Sequence, residues 1–191
     1  MLRHLLMRLK QIFCPQQQHV FLRITKFNLW EPNEAGDLPT EERAVAGFRL
    51  RPGEKCLSLY RLSRLEEAAQ LACIFSLTLR DNPQHFEYVL FPAKILSGCR
   101  VKPATVPEYP SFLSERHFEI AEPSEEQLLA LVDRILKSPE KKIGKIKKQD
   151  IVSFAVQHDM TENEELKNRI GDKWRKLIEK KKSRPTDHTR C

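Results

Sequence analysis

The chain has 191 residues, enough for one domain with a sizeable core. Hydrophobic residues make up 40% and charged residues 31%, which excludes wholesale disorder, and no apolar run approaches the roughly 20 residues that a membrane-crossing helix needs. The net charge of +7 is unevenly placed: from Lys137 onward there are 16 Lys or Arg against 9 Asp or Glu, so the preceding residues balance and the basic excess belongs to the tail.

Residues 1–18 read as an amphipathic basic helix and linker, with Leu2, Leu5, Leu6 and Leu9 on one side and Arg3, Arg8 and Lys10 over the rest. Such a helix suits docking on the body or on a partner, with a membrane-surface anchor as the alternative; Arg8 and Lys10 interrupt the apolar stretch that a secretory signal requires. His19 to Trp30 alternates as a strand, and residues 31–40 form an acidic loop by their Pro, Gly, Asn and Asp content. AVAGFRLR, positions 44–51, and CLSLYR, positions 56–61, predict two short strands joined by a turn at Pro52 and Gly53.

Between Ser63 and Arg80, the spacing of Leu65, Ala68, Ala69, Ala72, Phe75 and Leu79 predicts the central helix. Ser63 and Glu66 are placed for a capping box, and Asp81, Asn82 and Pro83 stop the helix. Phe86 to Phe91 is a nearly continuous apolar and aromatic run, as in a strand covered on both faces. Positions 99–106 suit an edge strand because Pro103 lacks a ladder donor, and His117 to Ile120 suits a short strand. Ser124 and Gln127 predict a second capping box at the start of a helix that ends near Ser138. EKKIGKIKK, positions 140–148, reads as a basic linker before two tail helices, 149–158 and 162–182. Thr161 and Glu164 are placed to cap the second, which carries Gly171 in its interior.

The expected fold is α+β (mixed α/β): a small sheet of about five strands, near 20–29, 45–51, 56–61, 86–91 and 99–106, packed on helices near 63–80 and 124–137. A basic helical C-terminal extension follows. Three segments result: 1–18, an α+β body at 19–137, and a tail at 138–191.

The chain contains no Gly-rich phosphate loop, no G-x-S-x-G elbow and no HExxH. Cys14, Cys56, Cys73, Cys99 and Cys191 lack the close pairing of a zinc site, so reduced thiols in a cytoplasmic protein are expected, with no metal and no cofactor. His85 and His117 each open a predicted strand and, with Arg80 and Arg116 nearby, are the candidates for a phosphate cleft. Arg80 to His85, in the order Arg-Asp-Asn-Pro-Gln-His, resembles the arginine–polar–x3–histidine signature of HEPN-type ribonucleases. The resemblance covers six residues and implies an arginine and a histidine presented to an RNA backbone in a dimer cleft. Pro83 departs from that family's helical pattern, and strands are foreign to it.

The stronger signal is electrostatic. Lys141, Lys142, Lys145, Lys147 and Lys148, then Arg169, Lys173, Lys176 and Lys180 at helical spacing, are candidate phosphate contacts, because neutralising phosphates releases counterions. The expected function is therefore a non-enzymatic binding protein that contacts nucleic acid or a nucleoprotein partner through its tail. Two alternatives stand beside it: a small phosphodiester-cleaving enzyme using Arg80 and His85, and an adaptor docking by its terminal helices on an acidic protein surface or a larger assembly.

Overall fold

The computed structural model describes residues 20–50, 52–64 and 66–183. The N-terminal amphipathic helix, Leu65 of the central stripe and the end of the chain from Arg184 lie outside the described residues. The fold is α+β. Six strands, β1 (Val20–Ile24), β2 (Cys56–Leu62), β3 (Phe86–Pro92), β4 (Val101–Pro103), β5 (His117–Ala121) and β6 (Lys142–Ile146), form one sheet in the order β4-β5-β2-β1-β3-β6. Every neighbouring pair is antiparallel. The described residues also form six α-helices: α1 (Glu41–Val45), α2 (Glu67–Leu79), α3 (Ser111–Ser114), α4 (Glu125–Lys137), α5 (Lys148–Gln157) and α6 (Asp172–Lys182).

Both faces of the sheet are covered. Alternation along the central strands sends Leu22, Tyr60, Leu62, Phe86 and Leu90 to one face, where α2, α5 and α6 pack with Leu71, Leu77, Ile151, Trp174 and Ile178. Phe21, Leu57, Leu59, Val89, Phe91 and Phe118 turn to the other face, against α1 and α4 with Val45, Phe48, Leu131 and Ile135. This double coverage explains why β3 reads as an almost unbroken apolar run. No helix among the described residues is long and apolar enough to cross a membrane.

The local signals at α4 are met in full. Ser124 Oγ accepts from the Gln127 N–H at 3.2 Å and Gln127 Oε1 accepts from the Ser124 N–H at 3.0 Å, a reciprocal cap worth about 1 kcal/mol. At α2 the predicted capping box does not form: the helix begins at Glu67 with Glu66 as its N-cap, three residues later than a Ser63 cap predicts, and the Ser63 N–H donates to the Glu67 carboxylate at 3.0 Å.

Several element boundaries differ from the expectation. The predicted strand at 44–51 is instead α1 followed by a turn. Thr40 caps that helix through the Arg43 N–H, and Ala44, Val45 and Phe48 are all fully buried, a helical spacing against α4. The strand at 19–30 ends at Ile24; a 3-10 turn, Phe27–Leu29, lets Trp30 fold in, where its Nε1 donates to Thr25 Oγ1 at 3.1 Å. The edge strand at 99–106 shortens to Val101–Pro103, and His117–Ala121 joins the sheet beside it.

The basic segment at 140–148 is not a linker. Lys142 to Ile146 pairs with β3 from Leu90↔Lys142 to Phe86↔Ile146 as the edge strand of the sheet. Ile143 and Ile146 pack on opposite faces while Lys142 and Lys145 are exposed. Gly144 is required there: a Cβ would lie 2.2 Å from Tyr88 Cζ, the ring of the paired residue. The long helix predicted at 162–182 is also shorter. Residues 162–170 are turns, Asn163 Oδ1 accepts from the Glu165 and Leu166 N–H groups, and Gly171 is the N-cap of α6.

Candidate functional site

The connection between α2 and β3, residues 80–85, is where the tail meets the body. The Gly171 N–H donates to the Leu77 carbonyl at 3.1 Å, and the Trp174 indole N–H donates to the Arg80 carbonyl at 3.2 Å. Lys173 Nζ donates to Asn82 Oδ1. The Lys148 backbone N–H donates to His85 Nδ1 at 3.2 Å, so His85 serves the orphan donors at the start of α5. The N-terminal ends of α5 and α6 therefore both lie against this one short segment.

Arg80 and His85 hold defined places in it. The Arg80 guanidinium lies 5.4 Å from the centre of the Phe75 ring and 5.3 Å from that of Phe86, and its Nη1 donates to the His85 carbonyl at 3.0 Å. An accepting Nδ1 places the proton of the neutral His85 ring on Nε2. Arg80 and Gln84 line two cavities, so the connection forms a rib between them. One, of about 610 Å³, includes Lys26, His85, Glu87 and Lys145; the other, of about 370 Å³, includes Arg23, Glu54, Tyr60 and Tyr109.

His117 sits elsewhere. At 2% exposure its ring lies between Tyr60, centroids 5.4 Å apart, and Tyr109, 5.5 Å apart, and neither ring nitrogen makes a hydrogen bond. Burial lowers its pKa, an effect partly offset by the Glu119 carboxylate, 3.9 Å from Nε2, and by the Ala104 backbone. Arg116 is spent on packing, stacked 3.9 Å from the centre of the Phe112 ring and paired with Glu67 at 3.6 Å.

A stability consequence follows from His117. Above its ordinary value of 6.5 the ring is neutral in folded and unfolded chain alike; as pH falls through that value the unfolded state takes up the proton first. Stability is therefore present above this range and lost on acidification towards the lowered folded value. Thermal melts between about pH 7 and about pH 5 should show His117→Phe losing less stability than the parent chain. Equal losses would show that the buried ring does not govern this range.

The predicted basic residues divide into groups. Lys148 and Lys173 flank the connection, with the exposed Lys147 at the N-cap of α5 and the exposed Lys176 and Lys180 further along α6. Lys145 Nζ is 2.9 Å from Glu87 Oε1; burial works to raise the Glu87 pKa, but Lys145 and the Phe27 N–H outweigh it and hold the carboxyl below the usual range. Lys141 Nζ donates to the Leu136 carbonyl at 2.9 Å near the C-terminus of α4, and Lys142 is exposed at the far end of β6. Arg169 precedes α6 and donates to the Glu108 carbonyl, so it does not continue the helical row of Lys173, Lys176 and Lys180.

Burial pushes the Cys73 pKa up to about 12, its Sγ lying 3.7 Å from the Ile151 carbonyl, which leaves it protonated at neutral pH. No group of three or more His, Cys, Asp or Glu among the described residues is placed to hold a metal ion. Asn82 and Trp174 escaped the sequence reading as parts of this site, because their partners lie more than ninety residues away in the chain.

Fold and site together define an α+β protein whose antiparallel sheet is sandwiched by helices and whose tail brings lysines to one helix-to-strand connection. No family model, curated protein or solved structure matches the chain.

Proposed function

We propose that the protein is a non-enzymatic binding protein that contacts nucleic acid through the basic rim around residues 80–85. The observation that carries the reading is the set of hydrogen bonds from Lys148, Lys173 and Trp174 to this one connection, which gathers cations from two separate tail helices around Arg80. Phosphates would meet Lys147, Lys148 and Lys173 first, with Lys176 and Lys180 extending the path along α6. The same edge carries the N-termini of α5 and α6, whose dipoles favour negative charge. Contacts of this kind give affinity without sequence information.

Fluorescence anisotropy of labelled single-stranded and duplex RNA and DNA, at low and moderate salt, tests the proposal. The parent chain should bind with affinity falling steeply as salt rises. Lys147→Gln/Lys148→Gln/Lys173→Gln should lower the slope of log affinity against log salt by about one for each phosphate that is no longer neutralised. Lys148→Gln keeps the backbone N–H that His85 accepts, so the variant retains that anchor. Absence of binding by the parent, or an unchanged slope in the variant, would overturn the proposal.

A further inference from the structure

Against the other sheet face lies a cavity of about 570 Å³ between residues 97–102 and α4, with Arg134 in its wall. Arg134 is half-buried, and every partner it has is neutral. Its Nε donates to the Ala130 carbonyl at 3.2 Å, its Nη1 to the Ser97 carbonyl at 2.6 Å, and its Nη2 to Cys99 Sγ at 3.6 Å. A guanidinium carries five N–H donors and does not lose its proton at any ordinary pH. Three donors are used, which leaves one on each terminal nitrogen, and no carboxylate among the described residues lies within ion-pair distance.

The surroundings reinforce this charge. Asp133, its neighbour in α4, is taken by Lys137 at 2.7 Å. Arg100 and Lys102, both exposed and without an ion pair among the described residues, line the same cavity, where Glu122 is the one carboxylate among the lining residues. A partly desolvated cation without a counter-ion is costly, and an anion that completes the pairing recovers that cost. The remaining wall is mixed: Ser97 and Gln127 are polar, while Ile120, Leu128 and Leu131 give it an apolar part. The volume falls within the range of roughly 300–1,000 Å³ usual for small-molecule sites.

We propose that this cavity binds a small amphipathic anion, a carboxylate or phosphate monoester with a short apolar tail. The head group lies against Arg134, with Arg100 and Lys102 at the mouth, and the tail lies over Ile120, Leu128 and Leu131. This inference is independent of the nucleic-acid reading, because it uses neither the tail lysines nor the connection at 80–85.

Isothermal titration calorimetry of the full chain with octanoate, octyl phosphate, octanol and inorganic phosphate decides it. At least one of the two tailed anions should bind saturably at one site per chain, and comparison of the two identifies the preferred head group. Octanol and inorganic phosphate should each bind about tenfold more weakly or worse, since each lacks one half of the ligand. Arg134→Gln should cost about tenfold or more in affinity. Because Arg134 also ties α4 to residues 97–99, Arg100→Gln/Lys102→Gln, at exposed positions, provides a second variant that should bind severalfold more weakly with unchanged thermal stability. Failure of both tailed anions to bind the parent chain, octanol binding as well as octanoate, or undiminished binding by Arg100→Gln/Lys102→Gln and Arg134→Gln would each overturn the proposal.

Discussion

Trp174→Ala is expected to destabilise the protein by about 3–5 kcal/mol, the range for removing a large buried aromatic side chain. Trp174 is fully buried within the cluster that joins α6 to α2 and α5, and its indole N–H is spent on the Arg80 carbonyl. Truncation therefore opens a cavity and leaves that carbonyl without its donor. The loss compares with a total stability of about 5–15 kcal/mol for an ordinary domain, so the variant should stand close to the unfolding threshold. Urea denaturation followed by circular dichroism measures the change. Trp174→Phe separates the two contributions: it keeps most of the volume and loses the donor, and should cost about 1–3 kcal/mol. A loss below about 1 kcal/mol in Trp174→Ala would mean that α6 is not held to the body in this way. Since α6 carries Lys173, Lys176 and Lys180, its docking also sets the position of the lysines on which the proposed nucleic-acid contact depends.

Gly47→Ala should cost about 2–4 kcal/mol, through overpacking and a broken buried hydrogen bond. A Cβ at position 47 would lie 1.9 Å from Thr25 Oγ1 and 3.1 Å from Thr25 Cβ. Thr25 is 8% exposed and branched at Cβ, so it has little room to rotate. Its hydroxyl also accepts the Trp30 indole N–H at 3.1 Å, and Trp30 is 1% exposed. Any movement that relieves the clash strands that donor in an apolar environment. The diagnostic comparison is a double-mutant cycle with Thr25→Ala, which removes the clashing oxygen. The two losses should be markedly less than additive. Simple additivity would show that the strain of Gly47→Ala arises somewhere other than at Thr25.

The parts of the fold legible in the sequence were those whose causes are local. The cap of α4 needs only Ser124 and Gln127, three residues apart, and the stop at Asp81 to Pro83 needs only its own backbone chemistry. Where the sequence misled, a distant partner decided. Ala44 to Leu50 supports either alternation or a helical turn, and packing of Ala44 and Val45 against α4 selects the helix. In Lys142 to Ile146 the two isoleucines serve opposite faces of the sheet, so no one-sided pattern announces a strand. The basic candidates were visible as residue types, but their neighbours were not. Nothing near Lys148 foretells His85, sixty-three residues earlier. The Arg134 cavity left no sequence signal at all, since its cations come from the β4 region and from α4 and converge only when both pack on the sheet.

The sheet order also bears on how the chain is made. β1, β2 and β3 occupy the middle of the sheet, whereas β6, which pairs with β3 on its outer side, arrives much later in the sequence. A nascent chain leaving the ribosome thus presents the bare hydrogen-bonding edge of β3, a strand of mostly buried apolar residues, until Lys142 to Ile146 emerges to close it. Interrupted synthesis, or proteolysis ahead of β6, would leave fragments prone to associate edge to edge. Completion of the last quarter of the chain thereby both covers the outer edge of β3 and brings Lys148 and Lys173 to the connection at residues 80–85.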